Sequence, residues 1–142
     1  MTEPITFNWP HKVKFADCDP AGIVFYPRYV EMIHNTVEDF LENIGFGYTD
    51  LIIKNKKGVP TVHLDIDFNE SSRLGDKLSF NLRLKKIGTS SLAMTIDCLH
   101  GDDLRLSANM IIVHIDLATN KSEPWPNEMR TKFTDYLIVE ED

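Results

Sequence analysis

From Thr61 onward, apolar residues fall on every second position, the period of a β-strand with one face buried. Val62, Leu64, Ile66 and Phe68 alternate with Thr61, His63, Asp65 and Asp67. Leu78, Phe80, Leu82 and Leu84 repeat the pattern, as do Leu92, Met94, Ile96 and Cys98 beyond a turn at Gly88-Thr89. Gly101-Asp102-Asp103 reads as a hairpin turn into a long strand from about Leu104 to Ile115. Within it, Asn109 to Val113 is apolar on both faces, as a central strand should be. The first half of the chain has a different rhythm. Val30, Ile33, Val37, Phe40, Leu41 and Ile44 recur at helical spacing, which predicts one long amphipathic helix from Pro27 to Ile44. Pro27 suits its first turn and Gly45 its C-terminal cap. A strand from Phe7 to Phe15, interrupted near Trp9-Pro10, precedes this helix, and a short helix or turn from Tyr48 to Asn55 follows it. Trp125, between two prolines, marks an irregular passage before a short closing helix carrying Met129, Phe133, Tyr136 and Leu137. The succession describes an α+β fold, an antiparallel sheet wrapped around one long central helix, in a single domain spanning residues 1–142.

Composition narrows the function classes. With 42% hydrophobic and 26% charged residues, the chain has the make-up of an ordinary globular domain. No apolar run approaches the ~20 residues that a membrane helix requires, so no membrane insertion is expected. Met1-Thr2-Glu3-Pro4 has neither the basic segment nor the apolar stretch of a secretory signal, and the expected location is cytoplasmic. Cys18 and Cys98 are too few for a disulfide framework and lack metal-type spacing, so neither a metal nor a cofactor is expected. A formal charge of -7 excludes broad nucleic-acid binding, which needs clustered cations. An anionic ligand would have to be met by a local basic patch, at Lys54/Lys56/Lys57, Arg83/Lys85/Lys86 or Arg73.

The candidate chemistry lies between the first strand and the long helix, in Asp17-Cys18-Asp19-Pro20-Ala21-Gly22-Ile23-Val24-Phe25-Tyr26-Pro27. An acidic turn would explain the composition, since Asp, Pro and Gly all favour turns. A metal site fails because the following residues supply no further oxygen ligands. An aspartyl-phosphate site fails because its parallel doubly wound sheet does not match a run of hairpins. Carbonyl chemistry fits better. Asp19 stands at the mouth of the turn, Gly22 lets backbone approach a ligand, and the helix start offers N–H groups to an oxyanion. Pro27 has no N–H, so the donor is Phe25 or Tyr26. A thioester suits this machinery, because a thiol of pKa ~8.5 departs without a dedicated general acid. The histidines, among them His34, His63 and His114, are read as surface or satisfied core residues, and no Ser or Cys stands in a nucleophile elbow.

The segment Phe15 to Pro27 closely resembles the signature of the 4-hydroxybenzoyl-CoA thioesterase family, and the likeness extends through Gly58-Val59-Pro60 and Glu70 to Asp76. The resemblance implies a hotdog fold, in homodimers that pair into homotetramers with active sites at the dimer interface. It also implies an acyl-CoA substrate, with an aromatic acyl group such as 4-hydroxybenzoyl or a short chain. Asp19 falls on the catalytic carboxylate, as nucleophile or general base, Tyr26 on the backbone oxyanion donor, and Asp17 on a supporting position. The coenzyme A contacts depart from the family. Gly88-Thr89-Ser90-Ser91 replaces a basic stretch, with Ser91 alone matching, and Val59 stands where a hydroxyl residue is found. Phosphate recognition is then expected from Lys85, Lys86 or Arg73. The weak coenzyme site also leaves open a non-catalytic hotdog protein that binds acyl-CoA or a partner.

Overall fold

In a computed structural model, which describes residues 4–138, ten regular elements follow one another. They are β1 (Phe7–Lys12), α1 (Tyr26–Asn43), β2 (Lys57–Gly58), β3 (Thr61–Phe68), β4 (Lys77–Ile87), β5 (Ser91–His100), β6 (Asp103–Val113), β7 (Ile115–Asp116), β8 (Lys121–Ser122) and α2 (Asn127–Thr134). A 3-10 turn occupies Phe15–Asp17 and a π-helical turn Thr49–Lys54. The main sheet is antiparallel throughout, in the order β1-β4-β5-β6-β3. β6 is interior, as its two apolar faces require. A small sheet β2-β7-β8, which the residue pattern does not announce, caps one end.

The alternating residues become the inner face of the sheet. Phe80, Leu82, Leu84, Leu92, Met94, Ile96 and Leu106 are fully buried. Against them lies the apolar side of α1, in which Ile33, Phe40 and Leu41 are inaccessible to solvent. Phe40 is gripped by aromatic rings, with centroids 5.7 Å from Phe7, 4.9 Å from Tyr136 and 6.4 Å from Phe133. α1 ends as expected: the backbone turns over at Gly45 with φ +95°, a conformation that costs glycine little.

Five expectations need correction. β1 stops at Lys12, and Phe15 lies exposed in the 3-10 turn. Pro10 does not interrupt β1, because β1 is an edge strand and a missing N–H is tolerated there. Val30 faces solvent, 38% exposed, while Met32 and Thr36 take up the buried face of α1. Ile115 belongs to β7, and Tyr136 and Leu137 lie beyond the end of α2. β3 is the opposite edge, and Val62 and Phe68 at its two ends remain 61% and 51% exposed. Among the described residues, no helix is long and apolar enough to cross a membrane.

Replacing Phe40 with Ala leaves a cavity ringed by Phe7, Phe133 and Tyr136, and should cost about 3–5 kcal/mol. A urea titration should show a lower midpoint with an unchanged slope.

Candidate functional site

The motif folds as a short loop clamped at both ends. Asp17 accepts the Phe25 N–H on its backbone carbonyl (2.9 Å), and Cys18 bridges antiparallel to Val24. Inside this clamp the Asp19 N–H donates to Ile23 O and the Gly22 N–H to Asp19 O, both at 2.9 Å. Gly22 has φ +80°, a left-handed conformation that lets the loop reverse. The loop's outer strand then docks on a second segment. The Val24 N–H donates to Ser72 O (2.9 Å), the Leu74 N–H to Gly22 O (3.2 Å), and Ile23 bridges antiparallel to Arg73.

The two aspartates occupy different environments. Asp17 is the more heavily bonded: its Oδ2 alone accepts the Lys14 N–H and meets His11 Nε2, both at 2.9 Å. Burial pushes its carboxyl up, but these two hydrogen bonds and the positive charge of Arg28 outweigh burial and hold it below the usual carboxylate range. Asp19 accepts only the Ala21 N–H, on Oδ1 at 2.9 Å, and among the described residues no group bonds its Oδ2. Asp17 braces the loop, and Asp19 keeps one oxygen for another partner. Cys18, between them, is a poor nucleophile, since desolvation and both carboxylate charges push its thiol up.

The helix start separates the two possible oxyanion donors. The Phe25 N–H is spent on Asp17 O, and Pro27 has none. Among the described residues nothing accepts the Tyr26 N–H, which stands at the first position of α1 at the positive end of its dipole.

The expected substrate-binding residues do not gather round this loop. Arg73 does, through its bridge to Ile23, with its side chain exposed. Val59 lies deeper, in a cavity of about 360 Å³ that it shares with His34, Val37, Tyr48, Ile52 and Leu117. Measured along α1, His34 is roughly 12 Å from Tyr26 at ~1.5 Å per residue. Lys85 and Lys86 stand at the far end of β4, and Ser91 opens β5 across the turn from them. A β-bulge between Leu84 and Lys86 exposes both lysines beside a groove of about 700 Å³. That end is roughly 26 Å from Lys77, where β4 leaves the motif, at ~3.3 Å per residue. Arg130 of α2 joins the lysines there and bonds Gly88 O at 2.7 Å. The sequence reading missed it, because nothing at position 130 signals that α2 folds back onto the β4–β5 turn. Ser91 helps shape that turn, its carbonyl accepting the Gly88 N–H and Trp125 Nε1.

With this geometry in view, comparison places the chain in a family. The pattern of the thioesterase-like superfamily matches residues 13–133, and the chain belongs to that superfamily. A 1,4-dihydroxy-2-naphthoyl-CoA hydrolase of Synechocystis is 26% identical over 132 residues, covering 92% of this chain and 96% of that enzyme. Among solved structures, the Synechocystis 1,4-dihydroxy-2-naphthoyl-CoA thioesterase Slr0204 superposes with a TM-score of 0.85 at 26% identity, over 92% of this chain and 96% of its own. The gentisyl-coenzyme A thioesterase BH1999 gives 0.80 at 26% identity, over 89% and 98%. The antiparallel sheet with its few helices is accordingly the hotdog-type fold of these thioesterases.

The lowered Asp17 carboxyl fixes a pH dependence. A group whose folded pKa is depressed stabilises above its unfolded value, near pH 4, and that stability is lost as pH falls through the folded value. Thermal midpoints measured from pH 6 downward should therefore fall less steeply below about pH 4 in Asp17→Asn than in the unmodified protein. Parallel curves would remove Asp17 from this role.

Proposed function

We propose that this protein hydrolyses the thioester of an acyl-CoA bearing a hydroxylated aromatic acyl group, with Asp19 acting on the thioester carbonyl. The observation that carries the reading is the pairing, across one clamped loop, of a carboxylate oxygen and a helix-terminal N–H that bond to nothing among the described residues. Membership of the thioesterase-like superfamily supports thioester hydrolysis, and two relatives named for hydroxyaromatic CoA esters support the acyl class. The mainly apolar cavity at Val59, with His34 and Tyr48 as polar groups on its wall, suits a flat ring carrying hydroxyls.

Asp19 works by one of two routes. Its carboxylate attacks the carbonyl carbon, the C–S bond breaks to release CoA thiolate, and water then cleaves the mixed anhydride. Alternatively it takes a proton from water, which attacks directly. In both routes the carbonyl oxygen becomes negative in the transition state and the Tyr26 N–H stabilises it. Gly22 lets the loop backbone come close to the thioester, and Asp17 holds the loop.

The unit in this reading is one hotdog domain over residues 1–142, of which 1–3 and 139–142 lie outside the described residues, with the sheet wrapped around α1. It works as a homodimer, which can pair again into a homotetramer. The support is geometric. Asp19 and Arg73 lie at one end of the sheet, whereas Val59, Lys85, Lys86 and Ser91 lie at the other. A two-fold axis that pairs the free edge β3 with its copy is necessarily antiparallel, and it brings the first end of one subunit against the second end of the other. The acyl pocket and the phosphate-binding cations are then supplied in trans.

Purified protein should release free thiol from a panel of hydroxyaromatic, unsubstituted aromatic and short-chain acyl-CoAs, with the hydroxyaromatic members turned over fastest. Asp19→Asn should lower kcat by roughly a thousandfold or more while remaining folded. Near-normal turnover in that variant would sink the mechanism, and no turnover on any ester would return the protein to the class of acyl-CoA binders.

Mixing tests the shared site. Asp19→Asn and the double variant Lys85→Ala/Lys86→Ala should each be weak at limiting substrate. After co-refolding they should regain up to about a quarter of normal activity, because half of randomly mixed dimers hold one intact site. No recovery beyond the average of the two parents would place the whole site within one subunit.

A further inference from the structure

The Ser71–Leu74 segment that carries the motif loop is itself held from behind by one partly hidden cation. Arg105 of β6 is 11% exposed in its side chain. Its Nη1 donates to Ser71 O and lies 3.4 Å from both Ser72 Oγ and Asp76 Oδ2, and its Nη2 meets His100 Nδ1 at 3.2 Å. The Asp76 carboxylate also accepts the Arg73 N–H at 2.9 Å. From the other side, Tyr29 of α1 accepts the Ser72 N–H on its hydroxyl at 3.1 Å. Ser72 is fully buried between these two supports, and its carbonyl takes the Val24 N–H of the motif loop. The planar fork of a guanidinium suits this duty, since it bonds a carbonyl, a hydroxyl, a carboxylate and an imidazole in fixed directions at once.

We propose that Arg105 is a positioning residue: by fixing Ser71 and Ser72 it sets the height of the Ile23–Val24 strand, and with it the placement of Asp19 against the thioester. The proposal rests on the reading of Asp19 as the group that acts on the carbonyl. A purely structural ion pair would act on stability alone. A positioning role acts on the reacting geometry, where a displacement near 1 Å costs about a hundredfold in rate. Binding at the Val59 cavity and the Lys85/Lys86 groove is spared, because Arg105 lines neither; the groove it does line is the one it shares with Ser71, Arg73 and Asp76 behind the loop.

The test uses Arg105→Lys, which keeps a positive charge beside Asp76 but loses the fork, with Asp76→Asn as a second variant in case the first folds poorly. Hydrogen exchange should show the Gly22, Val24 and Leu74 amides opening about tenfold faster or more, with β4 and β5 unchanged. Thiol release should show kcat falling roughly 10- to 100-fold with KM within about twofold. Unchanged exchange in the loop would overturn the proposal. So would faster exchange spread over the whole sheet, or a rise in KM at constant kcat. The exchange measurement needs no turnover, so an inactive unmodified protein would remove the Asp19 reading while Arg105 is still judged on the loop amides.

Discussion

α1 is amphipathic and has a single place to bury its apolar side, the inner face of the five-stranded sheet, so its axis and both its ends are set by packing. Ile33, Phe40 and Leu41 lose all contact with water there, and each such side chain contributes about 1.5–3 kcal/mol. The position of the helix N-terminus follows from this, and the motif loop has to reach it. Clamping by the Phe25 N–H on Asp17 O then determines which N–H is left over. The oxyanion donor proposed at Tyr26 is therefore a by-product of core packing, arising where a helix starts and a loop has used up the preceding amide.

The loop also explains how two aspartates two residues apart come to differ. Asp17 faces inward to Lys14 N–H and His11, and hydrogen bonds to its charged form keep it ionised and immobile. Asp19 spends one oxygen on the turn that follows it and nothing on the other. A carboxylate fully bonded by protein would be a poor nucleophile and a poor base. One with no bonds at all would sample many rotamers and lose the reacting geometry. Asp19 sits between these extremes.

Much of this was legible in the residue pattern. Period two gave β3 to β6, and period 3.6 gave α1 with its proline start and glycine stop, because both record which side chains meet the core. The errors share one origin. Val30 falls at helical spacing yet lies on the exposed side, and Val62 and Phe68 alternate correctly yet sit at a free sheet edge. Periodicity identifies a face but not whether the same chain covers it. Pro10 was misjudged for a related reason, since edge position is decided by strand order, which local pattern does not carry. Arg105, Tyr29 and Arg130 were missed because their partners, Ser71, Ser72 and Gly88, are distant in sequence. No spacing rule links them.

The exposed β3 edge and the divided site bear on each other. An eight-residue strand with an unpaired side and half-exposed Val62 and Phe68 is a surface that an isolated chain has reason to cover. Self-pairing along that edge has one direction only, and that direction sets each motif loop opposite the end that carries Val59 and the β4 lysines. Had Lys85 and Lys86 stood beside Arg73, one subunit would offer a complete groove and the exposed edge would carry no functional weight. Their separation by the length of β4 is what makes the proposed two-fold arrangement the more economical account of both features, since a single pairing would cover the edge and complete the site.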